Sequence, residues 1–196
     1  MAQLRPFKGI RYNQEISGDL TQNICPPFDS ISETLQEKLY KISDYNTVRL
    51  ELGIRGMYED PYFSAAQIQN SWIKNEVLTQ DDSPSIYVTE EEFIFGDQII
   101  TRKGFICAIK VEDYEKKVVI PHEKTREEWV EDRQNLMEVA KSNYSPLLCL
   151  YEDDSRATIA NLVKSISGQK PYIDIEPDYL QKIKVWRVTD KGTISL

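Results

Sequence analysis

The amino-acid sequence predicts an α+β fold, a mixed or mainly antiparallel sheet with about four helices inserted among its strands. Three observations predict it. Strand-like alternation recurs in short stretches along the chain, helical periodicity interrupts it at irregular intervals, and no βαβ unit or other repeat is present. A length of 196 residues, 40% of them hydrophobic, suffices for one well-filled core, so residues 1–196 are expected to form a single compact α+β domain.

Taken in order, Leu4, Phe7, Ile10 and Tyr12 around Pro6 and Gly9 suit a short extended arm. Cys25-Pro26-Pro27-Phe28-Asp29-Ser30 then stiffens the approach to a first helix. Asp29 or Ser30 is its expected cap, Ser30 and Glu33 stand at capping-box spacing, and Leu35 and Leu39 form an apolar face ending near Tyr40. Val48, Leu50 and Leu52 alternate with Arg49 and Glu51, which predicts a half-buried strand over residues 46–52. Ser64 is the expected cap of a second helix whose Ala65, Ile68 and Trp72 share a face. The turn Asp81-Asp82-Ser83-Pro84 leads into a strand at residues 86–88. Beyond the acidic triplet Glu90-Glu91-Glu92, residues 93–95 and 99–101 flank Gly96-Asp97-Gln98 as a hairpin. Strand character continues over residues 104–111 and 118–120. Trp129, Arg133, Leu136 and Ala140 alternate four- and three-residue spacing, the mark of a third helix running from near Arg126 to Asn143. Ser145-Pro146 launches a strand over residues 147–151. Asp154 or Ser155 caps a fourth helix, 156–167, which Gly168 stops, and strands at 172–175 and 183–188 complete the order.

The formal charge is -8, with acidic clusters that disfavour general nucleic-acid binding, since a phosphate backbone needs arrays of Lys and Arg. One small anion held by a local cluster such as Lys124, Arg126 and Arg133 remains compatible with that balance. No stretch approaches the roughly 18–20 apolar residues of a membrane span, and the opening Met-Ala-Gln-Leu-Arg-Pro lacks the apolar segment of a secretion signal. Cys25, Cys107 and Cys149 are odd in number, far apart and set in apolar surroundings, as buried free thiols of a reducing compartment are. A cytoplasmic protein without a membrane partner is therefore expected. A lone histidine and the lack of a Cys-x-x-Cys pair argue against a zinc site, and no metal site is predicted.

The densest set of donors and acceptors is Pro121-His122-Glu123-Lys124-Thr125-Arg126, read as the junction between an apolar strand and the third helix. A helix start exposes unpaired amides and receives anions, and Lys124 and Arg126 add positive charge. His122, the only histidine, is a candidate acid, base or hydrogen-bond donor near neutral pH, and Glu123 a candidate partner for it, for a metal or for a substrate proton. A purely structural arrangement is equally consistent with these residues. In it Thr125 is the N-cap, with Glu128 at capping-box spacing, and Arg133 pairs with Glu123. Asp29, Asn46 and Arg49 form a second candidate group, able to read an amide, carboxylate or phosphate if they converge with His122. There is no Gly-x-Gly-x-x-Gly, no P-loop and no second histidine for a conventional triad. Trp72, Trp129 and Trp186 are expected to be packing anchors.

Along the same residues the chain resembles the family named domain of unknown function 1015. The resemblance runs through Arg5-Pro6-Phe7, Pro26-Pro27-Phe28-Asp29, Asn46-Thr47-Val48-Arg49-Leu50, Thr101-Arg102-Lys103-Gly104-Phe105, Pro121 to Thr125, Asp132-Arg133, Ser145-Pro146, Leu150-Tyr151 and Trp186-Arg187. The family has tyrosine where this chain has Phe28, and arginine where it has Lys124. Phe28 cannot donate a phenolic hydrogen bond, and Lys124 lacks the planar fork. Typical members are about twice as long, with an Asp-Gly-His-His-Arg segment soon after the point where this chain stops. That segment is similar to the ligand-handling box of the ParB and sulfiredoxin-like proteins, which include nucleotide binders and a free-serine kinase. The resemblance implies the N-terminal portion of a longer architecture, not catalytically complete alone.

Two accounts follow. The first is a metabolite- or nucleotide-binding domain of an enzyme-like protein, its ligand a small anion or a nucleotide with Mg²⁺, and its polar face Asp29, Asn46, Arg49, His122, Glu123, Lys124, Arg126 and Arg133. The second is a non-catalytic structural or protein-interaction module, which expects those charges to pair among themselves and an apolar patch to be exposed.

Overall fold

The computed structural model describes residues 2–54, 56, 59–177, 182–190 and 192. The extended arm contributes β1 (Leu4–Arg5) and β2 (Ile10–Tyr12), followed by two single helical turns, α1 (Gln14–Ser17) and α2 (Leu20–Asn23). α3 (Glu33–Ile42) begins at Ser32, whose hydroxyl accepts from the Leu35 amide. Ser32 thus replaces the expected Asp29 or Ser30 as the cap, because those two lie in a 3-10 turn, Phe28–Ser30, fixed by the Ser30 amide and hydroxyl both donating to the Pro27 carbonyl.

The strand expected over residues 46–52 is instead a helical turn, α4 (Val48–Glu51). The Asn46 side chain accepts from the Val48 amide and starts the turn, which buries Val48, Leu50 and Glu51 together, so the alternation in the sequence was not a strand period. α5 (Pro61–Lys74) is capped by Asp60, one residue before a proline at the first helical position, not by Ser64. After β3 (Leu78–Gln80) come β4 (Ile86–Phe95), β5 (Gln98–Ile106) and β6 (Ala108–Ile109). α6 (Glu127–Ala140) stops short of Asn143 because Lys141 takes a left-handed conformation, and α7 (Ala157–Ser165), β7 (Ile173–Ile175) and β8 (Lys182–Val188) follow. The four helices of nine residues or more, α3, α5, α6 and α7, are the four expected. The strands expected at 118–120 and 147–151 do not form. These residues pair with no neighbouring strand, and Ile120, Leu147, Leu148 and Leu150 are exposed. Among the described residues no helix is long and apolar enough to cross a membrane.

The chain folds as two compact units, Met1–Gly9 with Gln80–His122 and Leu148–Leu196, and Ile10–Thr79 with Glu123–Leu147. It passes between them at Gly9, Thr79, His122 and Leu147 rather than through a linker, so composition marks no boundary. Unit one contains an antiparallel sheet in the order β5-β4-β8-β7, with β1 and β6 paired beside it in sequence as a two-stranded ladder. Its core joins Ile86 and Val88 of β4 and Val188 of β8 to Leu162 and Ile166 from α7 and the residue following it. The acidic triplet lies inside β4 instead of ending it, because each neighbouring strand supplies a cation in register. Glu90 faces Lys103 and Lys184, and Glu91 faces Arg102. Among the described residues, β4 beyond Glu92 pairs with β5 alone, and Ile94, Phe95 and Ile99 are exposed at the hairpin tip.

Unit two is mainly helical. Leu50, Trp72, Val77 and Leu78 form one cluster, Leu39, Tyr40 and Val48 a second, and Ala65, Leu136 and Ala140 a third in which α5 meets α6.

Candidate functional site

In unit two the segment before Phe28 is held by Asn46. Its side-chain amide donates to the carbonyls of Gln22 at 2.7 Å and Ile24 at 3.0 Å, while its oxygen accepts from the Val48 amide. Asn46 is fully buried, and with both N–H groups and its oxygen engaged it pins two loops together. Thr47 donates from its hydroxyl to the Asn23 carbonyl and to Cys25 Sγ. Burial pushes the Cys25 thiol up to about 11, with nearby Glu51 adding to the rise and the Thr47 bond opposing it. Arg49 points elsewhere in the unit. Its Nη2 donates to the Tyr40 carbonyl at 2.7 Å and to Asp44, and its guanidinium lies 4.4 Å over the Tyr40 ring.

The centre of the unit's polar network is Arg133 on α6. Nη1 donates to the buried Glu51 carboxylate at 2.8 Å, Nη2 to the Glu51 carbonyl at 2.9 Å, and Nε to Asp132 Oδ2 at 2.9 Å. Ser145 donates to the other Glu51 oxygen, and Tyr62 donates to Asp132 Oδ1 at 2.8 Å. Burial, and after it Asp132, pushes the Tyr62 phenol up. Tyr144 shares the surroundings of Glu51, and burial followed by that carboxylate raises its phenol as well. Arg133 therefore pairs with Glu51 and Asp132, not with Glu123, because the turn that replaces the expected strand carries Glu51 inward.

An aromatic ladder continues outward from this arginine. The Phe28 ring lies 4.0 Å from the Arg133 guanidinium, Trp129 meets Phe28 edge-on at 6.1 Å, and the Arg126 guanidinium stands 4.8 Å over Trp129. A phenyl ring fills this role without a phenol hydroxyl, which accounts for Phe28 physically. Asp29, next in the chain, is exposed.

At the amino end of α6, Arg126 is the N-cap residue and supplies no side-chain cap; Thr125 does not take that role. Lys124, Thr125, Arg126, Glu127 and Glu128 line an open hollow of about 430 Å³. Among the described residues neither Lys124 nor Arg126 has a carboxylate within 4.0 Å. Glu123 is exposed, as is His122, the last residue of the second segment of unit one. No strand leads directly into His122; residues 117–119 bend after a 3-10 turn at Tyr114–Lys116. Of the eight predicted ligand residues, Asn46, Arg49 and Arg133 are thus bonded within the protein, whereas Asp29, Lys124 and Arg126 are exposed in unit two.

Unit one holds a polar cluster that the sequence did not single out. Tyr87 donates to Asp81 Oδ2 at 2.6 Å and accepts from the Gly9 amide at 2.8 Å; Arg187 donates to Ser85 Oγ at 2.8 Å, lies 3.5 Å from Asp81 and bonds Asp82. Burial and then the Asp81 bond push the Tyr87 phenol up to about 12. A side chain on Gly9 would meet the Tyr87 hydroxyl at 2.5 Å, so glycine is required for this approach. The turn residues Asp81 to Pro84 were the only local signal. Their partner Arg187 lies over a hundred positions away, which no periodicity reveals. Among the described residues no group of three or more His, Cys, Asp or Glu comes together as a metal site.

These features define an α+β protein of two discontinuous units, in the second of which the polar residues divide into an internal Arg133 network and an exposed cationic helix start. The chain belongs to the family described as "Protein of unknown function (DUF1015)", whose model matches residues 4–196. No curated protein and no solved structure matches it.

Proposed function

We propose that this chain is a metabolite- or nucleotide-binding module of an enzyme-like cytoplasmic protein, and that it holds a small anion at the amino end of α6. The observation that carries the reading is the hollow lined by Lys124, Thr125 and Arg126, where two cations that lack an acid partner among the described residues stand beside a helix start without a side-chain cap. In an acidic chain, unpaired cations at such a place favour a phosphate or carboxylate. Glu127 and Glu128 share the hollow and suit a ligand that also brings hydroxyl groups or Mg²⁺, as a nucleotide does. Nucleotides, which combine phosphates with hydroxyl groups and Mg²⁺, are the first ligands to try. Arg133, Asn46 and Arg49 support the scaffold, and no catalytic role is assigned to His122 or Glu123.

The test is calorimetric and thermal titration of the intact protein with ADP, ATP and inorganic pyrophosphate, each with and without Mg²⁺. Binding at a hundredfold excess over Kd stabilises by roughly 2.7 kcal/mol. Loss of one charge-assisted hydrogen bond, in Lys124→Ala or Arg126→Ala, removes about 1.5–3 kcal/mol, a tenfold or greater loss of affinity. No stabilisation, or binding indifferent to both substitutions, overturns the reading.

A second reading, a structural or protein-interaction module, is favoured by the internal bonding of Asn46, Arg49 and Arg133 and by the apolar hairpin tip at Ile94, Phe95 and Ile99. It expects no stabilisation by any of these anions.

A further inference from the structure

We propose that Cys107 and Cys149 are a redox pair, two thiols of unit one that close to a disulfide and fasten the segment entering this unit at Leu148 to the end of β5. Phe105 and Cys107 lie two residues apart at the end of β5, and both pack against the core cluster of Ile86, Val88, Leu162, Ile166 and Val188. The Phe105 ring meets the Tyr151 ring edge-on, centroids 5.8 Å apart. Cys107 follows Phe105 by two residues and Cys149 precedes Tyr151 by two, so the ring contact ties the two cysteine-bearing segments together. Electrostatics agrees with the geometry: burial raises the Cys107 thiol, and the neighbouring Cys149 raises it further.

Both cysteines are free, Cys149 is exposed, and Cys107 is half-buried. The segment has little else to hold it. Among the described residues, Leu148 to Tyr151 make no backbone hydrogen bond, and Leu148 and Leu150 are exposed. Cys25 belongs to unit two, where it accepts from Thr47.

The oxidant is a low-molecular-weight disulfide. The exposed Cys149 thiolate attacks one of its sulfurs, forming a mixed disulfide and expelling one thiolate. Cys107 then loses its proton, attacks Cys149 Sγ and expels the second thiolate. Two protein thiols have lost two protons and two electrons, and the small disulfide has taken them up to become two thiols. Because Cys107 attacks only as thiolate, the second step quickens as pH rises.

The experiment treats the intact protein with glutathione disulfide, blocks remaining thiols and maps tryptic peptides without reduction. The expected product joins the peptide of residues 104–110 to that of residues 142–156. Cys107→Ser should hold glutathione on Cys149 as a persistent adduct, and Cys149→Ser should abolish the link. Oxidation should also slow thermolysin cleavage beside Leu148 and Leu150 by roughly tenfold or more, since cleavage follows the population of the open segment. A persistent glutathione adduct on Cys149 in the unsubstituted protein overturns the proposal, as does an intermolecular Cys149 dimer or a link to Cys25 as the main product. Unchanged thermolysin cleavage overturns the fastening of the segment.

Discussion

Arg133→Met removes the arginine on which unit two's polar network converges and leaves the buried Glu51 carboxylate with Ser145 as its one donor among the described residues. Breaking a buried ion pair from one side costs roughly 3–5 kcal/mol, because the surviving charge keeps its desolvation penalty. The Glu51 side chain is 8% exposed and that of Arg133 22%, so water partly reaches the pair, and the expected loss sits near the lower end, about 3 kcal/mol. The loss includes the stacking of the guanidinium on Phe28. The assay is urea unfolding followed by tryptophan fluorescence in a Trp186→Phe background, which leaves Trp72 and Trp129, both in unit two. With a urea slope of roughly 2 kcal/mol per molar, the midpoint should fall by about 1.5 M. Arg133→Lys should lie between, since lysine keeps the charge but not the fork or the stack. Glu51→Leu combined with Arg133→Met should cost at least ~1 kcal/mol less than the two single losses added, because neither charge is then stranded. A loss under about 1 kcal/mol for Arg133→Met, or additivity in the double variant, refutes the view that Glu51 and Arg133 form one unit.

Two further outcomes follow from the same bonding. Asn46→Ala strands the Gln22 and Ile24 carbonyls and the Val48 amide, so a loss of roughly 2–4 kcal/mol is expected in the same urea assay, whereas Asn46 acting as a ligand residue would leave stability near that of the parent. The Tyr87 phenol is raised to about 12, so its contribution is fully present below pH 10, the ordinary tyrosine value, and is lost as pH rises from 10 through about 12. Tyr87→Phe should therefore be less stable at neutral pH but flatter in its alkaline decline; parallel pH profiles of stability for the two proteins would contradict this.

The long helices were legible because each carries an amphipathic stripe over several turns, and the β4–β5 hairpin because Gly96-Asp97 separates two apolar runs. Four elements misled because a short window shows neither which period is in force nor which distant residues will pair with it. Residues 46–52 alternate like a strand, yet a single capped turn buries Val48, Leu50 and Glu51. Residues 118–120 and 147–151 are apolar without a partner to pair with, and the triplet Glu90 to Glu92 looked like an interruption until cations on both neighbouring strands accounted for it. At the candidate site, the charged start of α6 was visible locally. The partners of Arg133 were not, since Glu51 lies 82 positions away and had been assigned to a strand. Cys149 was expected buried within that unformed strand and is exposed instead.

The assembly of each unit from separated stretches imposes a timetable on synthesis. Every residue of unit two has been made once Leu147 is added, whereas unit one waits for β8, which occupies an inner position between β4 and β7. The β4–β5 hairpin can close early, but the other edge of β4, carrying Ile86, Tyr87 and Val88, has no partner until Lys182–Val188 emerges. With synthesis at ~5–20 residues per second, roughly 90 residues separate the end of β4 from the start of β8, an interval of about 4–17 s. Throughout it the nascent chain presents an apolar strand edge that the finished protein conceals. The strand order thus sets when this protein most needs shielding from other chains.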